Sequence, residues 1–496
     1  MIEENNINKD SLVGNLTNES IELLEWPLLK KQLSSFASTP MGKKSIIDFE
    51  IPSRLEDTQY LLDQTKEIYS LENEHDQNIH FEGVFDIKKN TETCFKGGVI
   101  SSVELLEIAD TIAAARKLKK TIINFELRPQ LSSLLEKLVD HVELEKILKN
   151  GIENNGRISD RACPKLSELR KQLISIKNER RLILDKIIYK NSNYIQDAII
   201  SERVGRPVLA IKVNFINKFK GIIHDSSSSG NTIFIEPDAV VSKGNKIASC
   251  KAKIANEEFK LLKSWANLIS ENKDTLFLLS DILLSIENAH IRARYSRWIK
   301  GRPPKFVSDL NIQITGFTHP LLLWENKNNY SHKITPIDFY IKKNIKVVSI
   351  TGPNTGGKTA ALKGIGMALL MAKSGLFIPA NDQPVIPFYA NIYADIGDDQ
   401  SLQENLSTFS GHILRIKKIF DALSIKQGLS IVLLDEIGSG TDPEEGTALA
   451  ISLLEEFANK SDLTVATTHY GEIKALKYKD SRFENVSVSF DEESLK

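Results

Sequence analysis

Residues 351–359 read Thr-Gly-Pro-Asn-Thr-Gly-Gly-Lys-Thr, a run whose residue types suit the cradling of phosphate. Gly352, Gly357, Lys358 and Thr359 take the four defining places of the spacing Gly-x-x-x-x-Gly-Lys-Ser/Thr. In that pattern the backbone N–H groups point inward at the phosphates, so glycine is required where a side chain would forbid the wrapped conformation. The lysine adds a point charge for the β- and γ-phosphates, and the threonine hydroxyl a ligand for Mg2+. Pro353, Asn354, Thr355 and Gly356 complete the expected loop for ATP.

Other residues supply what phosphoryl chemistry needs beyond a cradle. Residues 429–436 run through Ile431, Val432, Leu433 and Leu434 into Asp435 and Glu436, an apolar strand ending in two carboxylates. Asp435 can hold Mg2+, directly or through water, while Glu436 can orient and deprotonate an attacking water. A second apolar strand, residues 463–468, ends at His469, whose imidazole can polarise a γ-phosphate. Residues 405–412, Asn-Leu-Ser-Thr-Phe-Ser-Gly-His, open a helix; its hydroxyls and first N–H groups form an anion-binding end that includes Ser407 and Ser410. Gln400 lies where a residue coupling Mg2+ to the rest of the protein is expected. Each element alone is weak, since apolar strands ending in Asp-Glu are common. Their order is far more specific.

These groups have to be held by alternating strands and helices. Residues 345–350 read as a buried strand running into the phosphate loop, and residues 360–373 as the helix leaving it. Upstream the pattern changes. Residues 1–20 are polar and rich in Asn, and a disordered tail is expected there. From residue 21 to about 150, apolar residues recur at helix spacing, as in Leu61, Leu62, Ile68 and Leu71. In residues 157–190, Leu166, Leu169, Leu173, Ile176, Ile183 and Ile187 make a coiled-coil seam interrupted by Arg180, and Pro164 suits the first turn. This stretch is basic; a phosphate-facing stripe fits it, and a solvated outer face fits it better. Between 198 and 237 the period becomes strand-like around the hairpin chemistry of residues 225–231, Asp-Ser-Ser-Ser-Ser-Gly-Asn. Helices resume from about Asp238, and Gly301-Arg-Pro-Pro marks a boundary.

Composition narrows the class. At 496 residues the chain is too long for one core, and 41% hydrophobic with 26% charged residues is ordinary for a soluble protein. A formal net charge of -1 requires any nucleic-acid surface to be local. Cys94, Cys163 and Cys250 are far apart, which argues against a disulfide framework or a structural zinc site. Neither an apolar signal core nor a run of about 18 apolar residues occurs, so a cytoplasmic protein with no membrane partner is expected.

The order of the motifs is that of an ATP-binding cassette, and the residues themselves are narrower. Thr-Gly-Pro-Asn-Thr-Gly-Gly-Lys-Thr, Leu-Ser-Thr-Phe-Ser, Leu-Leu-Asp-Glu-Ile-Gly-Ser-Gly-Thr-Asp-Pro and Thr-Thr-His-Tyr together closely resemble the MutS mismatch-repair family. Gly-Ser-Gly-Thr-Asp-Pro-Glu-Glu-Gly and His-Asp-Ser-Ser-Ser-Ser-Gly-Asn-Thr-Ile-Phe-Ile-Glu-Pro resemble its type 2 bacterial branch, and the likeness runs from about Glu22 to the end. The resemblance implies a multidomain protein: an all-α core with lever helices over residues 21–302, a small clamp-like β insertion at 198–237, and an α/β P-loop ATPase domain over 303–496, cut short at its carboxy terminus. It also implies a homodimer with ATP and Mg2+ between subunits, so that Ser407 and Ser410 contact the γ-phosphate bound by the partner subunit. Branched or junction DNA, and not mismatches, is the implied ligand, with suppression of homologous recombination as the role. The alternative is a ribosome-associated ATPase that embraces rRNA and splits collided ribosomes. Type 2 proteins usually continue into a stalk and a carboxy-terminal Smr nuclease domain; the sequence stops at Lys496, so nuclease activity is not assigned.

Overall fold

The computed structural model describes residues 14–73, 78–329, 334–352, 357–397, 408–425 and 427–487. They divide into two compact units, one of residues 83–116 and 139–280, the other of the described residues within 1–82, 117–138 and 281–496. No described helix is long and apolar enough to cross a membrane.

The first of these units is built on two long helices. Pro164–Lys190 starts on a proline, whose missing N–H removes nothing from the first turn. Asp238–Glu271 runs antiparallel to it, as Lys165 pairs with Glu257 at 2.9 Å and Glu179, further along, with Lys243. The expected seam lies between them: Leu166 and Leu169 are buried, and Leu173, Ile176, Arg180, Ile183 and Ile187 half-buried. Part of the basic character of the stretch is internal, because Arg170 is bonded to Glu258 at 2.6 Å and to Asp160.

Four antiparallel strands follow, β1 (Ile195–Arg203), β2 (Arg206–Lys212), β3 (Gly221–Ser226) and β4 (Thr232–Pro237), in the order β1-β2-β4-β3. Leu209, Ile211 and Ile235 pack one face against Leu184 and Val240 of the helices. The insertion thus begins at Ile195, before the expected residue 198; most of β1 is exposed and carries little apolar alternation. The two ends of the motif running from His224 to Pro237 meet across β3 and β4. His224 Nε2 lies 3.0 Å from the buried Glu236 carboxylate, and Arg206 donates to it at 3.4 Å. Between them they compensate a buried carboxylate, which would be costly without a partner.

In the other unit, residues 14–23 are helical, which corrects the expected tail over 1–20 for its last seven residues. Leu16 and Ser20 lie one turn apart and are buried, and Ser20 Oγ accepts the N–H of Ala394 at 2.9 Å. Apart from Ser20, the polar residues of this segment lie on its more exposed side.

From residue 305 come β5 (Lys305–Val307), β6 (Ile312–Phe317), β7 (Ile337–Ile341), β8 (Val347–Thr351), β9 (Val385–Pro387), β10 (Asn391–Asp395), β11 (Ser430–Leu434), β12 (Leu463–Thr468) and β13 (Phe483–Ser487). They form a four-stranded sheet, β5-β9-β6-β7, and a five-stranded one, β10-β11-β12-β8-β13, whose neighbours are all parallel. Every residue of β8, β11 and β12 is buried, as a parallel sheet covered on both faces requires. Val348, Ile350, Ile431, Leu433 and Val465 share a core with the helix Lys358–Lys373. Their neighbours Val347, Val432, Leu434 and Ala466 point the other way, onto the helices Thr408–Ile425 and Pro443–Lys460.

The boundary expected at 302/303 falls inside this unit. Trp26, Leu29, Tyr295 and Ile299 lie in the same hydrophobic core as Ile350 and Leu369, so the helical flanks are not separable from the α/β layers by packing. The strand expected at 485–490 is β13 up to Ser487, and its last residues lie outside the described ones.

Candidate nucleotide site

Parallel strands bring their carboxyl ends to one edge, where open α/β sheets place ligands. β8 ends at Thr351 before Gly352, β11 at Leu434 before Asp435 and Glu436, and β12 at Thr468 before His469. Because β12 lies between the other two, His469 emerges between the loop and the carboxylates.

Both described glycines of the loop adopt conformations that disfavour side chains. Gly352 has φ 143° and Gly357 φ 75°, the latter capping the helix that starts at Lys358. The Lys358 ammonium donates back to the Gly352 carbonyl at 2.9 Å and lies 3.3 and 3.4 Å from the two ring nitrogens of His469. Burial lowers its pKa, against the opposing pull of Glu436 and Asp435. Thr359 follows it, half-buried, in the first turn.

Asp435 and Glu436 are tied together by a residue of the next strand. The Thr467 hydroxyl donates to the Asp435 carboxylate and accepts the Glu436 N–H at 2.8 Å. Glu436 has φ 47°, a left-handed conformation costing about 1–3 kcal/mol in a residue other than glycine. Two further bonds hold the turn: Ile437 N–H to Thr467 O at 3.1 Å and Ser439 N–H to Glu436 O at 3.0 Å. The Glu436 carboxylate is 3.2 Å from His469 Nε2, and both groups are partly open to solvent.

Tyr470 locks the segment that follows. Its hydroxyl donates to the Gly438 carbonyl at 2.8 Å. A Cβ on Gly446 would lie 2.4 Å from that hydroxyl oxygen and 2.5 Å from Gly438 O, so glycine is needed for this close approach. Gly446→Ala is expected to destabilise the protein by about 1–3 kcal/mol, the usual cost of overpacking. Thermal unfolding should show a lowered midpoint.

Of the residues singled out in the sequence, Gly352, Gly357, Lys358, Thr359, Asp435, Glu436 and His469 are thus gathered on one edge of one sheet. Ser410 is exposed in the first turn of Thr408–Ile425. Pro353, Asn354, Thr355, Gly356, Gln400 and Ser407 lie outside the described residues. Sequence reasoning missed Thr467 and Asp395. Asp395 carried a signal, a polar residue closing an apolar strand much as Asp435 follows β11, whereas Thr467, inside β12, carried none.

The donor set fits a magnesium nucleotide: a buried ammonium, a hydroxyl at a helix start, two carboxylates and an imidazole. Among the described residues no group of three or more His, Cys, Asp or Glu side chains forms a separate metal site.

A family model described as MutS domain V matches residues 348–496. The chain is 42% identical over 504 residues to a protein of Synechocystis sp. named Endonuclease MutS2, covering 98% of this chain and 61% of that one. It is 37% identical over 501 residues to the Endonuclease MutS2 of Halothermothrix orenii and 34% over 482 to that of Symbiobacterium thermophilum, with 61% and 59% of those proteins covered. It therefore spans about three fifths of the length of these curated relatives.

Proposed function

Because the chain belongs to the MutS family, in its type 2 branch, we propose that it is a Mg2+-dependent ATPase that acts as a homodimer on branched DNA and suppresses homologous recombination. The observation that carries this reading is the convergence of Lys358, Asp435, Glu436 and His469, from three strands, around one loop end.

In this reading Lys358 neutralises the β- and γ-phosphates, and it exchanges its bond to Gly352 O for phosphate oxygens. Thr359 and Asp435 hold Mg2+, which supplies charge neutralisation when bound. Glu436 orients water and takes its proton, held at its strained backbone by Thr467. His469, bonded to Glu436, polarises the γ-phosphate. Ser407 and Ser410 serve the nucleotide of the partner subunit.

With ATP, a four-way junction is expected to bind on the order of tenfold tighter than a linear duplex of equal length, a difference of about 1.4 kcal/mol. Titration of both at the same salt checks this, since phosphate contacts alone make affinity salt-dependent and structure-blind. Equal affinity in every nucleotide state would contradict the DNA role. The ribosome alternative rests on the family likeness, and no arrangement among the described residues favours it.

A further inference from the structure

Beside the candidate site a second buried carboxylate is fully engaged by side chains that the site chemistry does not use. Asp395 closes β10, and its carboxylate is 3% exposed. One oxygen lies 2.9 Å from His412 Nδ1, and the other accepts from Arg415 Nη1 at 3.1 Å. His412 and Arg415 are three residues apart on the helix Thr408–Ile425 and therefore share a face. A Cβ on Gly397 would lie 3.1 Å from the His412 ring, so the backbone after β10 packs directly on that imidazole. The main chain of Asp395 faces the site: the Asp435 N–H donates to the Asp395 carbonyl at 2.8 Å.

The two halves of Asp395 thus serve different things. Its backbone is bonded to the carboxylate strand that handles its own subunit's nucleotide. Its side chain fixes the start of the helix that carries Ser410. We propose that Asp395 is a positioning residue that acts across the dimer, setting the helix end that completes the nucleotide site of the partner subunit. This rests on the dimeric ATPase proposed above.

The consequence is a specific pattern of complementation. Asp395→Ala leaves the backbone bond to Asp435 in place and releases the helix. Alone, this variant is expected to bind ATP within about threefold of the unsubstituted protein and to lose at least tenfold in kcat, a loss of about 1.4 kcal/mol in transition-state stabilisation. Lys358→Ala alone is inactive. In a heterodimer of the two, one site has an intact loop from the Asp395→Ala chain and an intact helix from the Lys358→Ala chain. An equimolar mixture should therefore recover about a quarter of the unsubstituted turnover, because random pairing makes half the dimers mixed, each with one working site.

No recovery on mixing would overturn the proposal, and so would full turnover by Asp395→Ala alone. A merely structural role would not produce recovery, since a damaged chain stays damaged in any pairing. If Asp395→Ala does not fold by circular dichroism, His412→Ala, which removes one of the two bonds, carries the same test with the same outcomes. Absence of turnover in the unsubstituted protein would instead remove the ATPase reading, and this inference with it.

Discussion

Lys358→Ala is expected to lower ATP affinity by two to three orders of magnitude while leaving the nucleotide-free protein folded. Removing one partner of a desolvated, hydrogen-bonded charge pair costs about 2–5 kcal/mol in binding, and Lys358 is the ammonium buried beside the loop. Within the protein the same ammonium is bonded to a carbonyl and lies beside an imidazole, and burial works against its charge. Its loss should therefore not lower the unfolding midpoint of the nucleotide-free protein. Stabilisation by ATP, which grows with the logarithm of ligand over Kd, should vanish. Calorimetric titration with Mg-ATP and thermal unfolding with and without it check both halves. Unchanged affinity would contradict the role given to the loop.

Glu436→Gln is expected to separate binding from turnover. The substitution keeps the shape of the side chain and an oxygen to face His469, so ATP should bind as before. It removes the base, and the loss of a positioned general base lowers the rate by about 10²- to 10⁴-fold. The strained backbone of Glu436 is set by Thr467 and by the turn to Ser439, so the substitution should leave the fold intact. A turnover assay beside a binding assay decides it. Normal hydrolysis by this variant would move the base elsewhere.

The chemistry-bearing strands were legible because burial on both faces demands uninterrupted apolar runs. Residues 431–434 carry such a run and residues 463–468 are apolar or β-branched throughout, and the charged residues and the histidine that follow them stand out. The loop was legible for a related reason: its glycines answer a backbone requirement, at Gly357 a left-handed conformation that side chains disfavour. Thr467 was hidden because it looks like one more β-branched strand residue, while its hydroxyl links two carboxylate-bearing residues of another strand. Asp395 was hidden for the same reason at longer range. Its partners His412 and Arg415 are distant in sequence, and no local pattern announces a pairing between a strand end and a helix face. Residues 14–20 failed differently. A helix with only Leu16 and Ser20 turned inward in its exposed-looking stretch offers little periodicity, and its stability comes from the sheet edge it covers. The boundary at 303 followed a real change in composition. Composition does not show that Tyr295 and Ile299 pack in the core of the sheet that follows.

The measurement that tests the composite site most directly is the mass of the Glu436→Gln protein by light scattering, without nucleotide and with Mg-ATP. Nucleotide trapped between two subunits should convert a lighter species into one of the dimer mass, and Lys358→Ala should abolish that conversion. A monomer mass in both states, with ATP shown to be bound, would contradict a site shared between subunits.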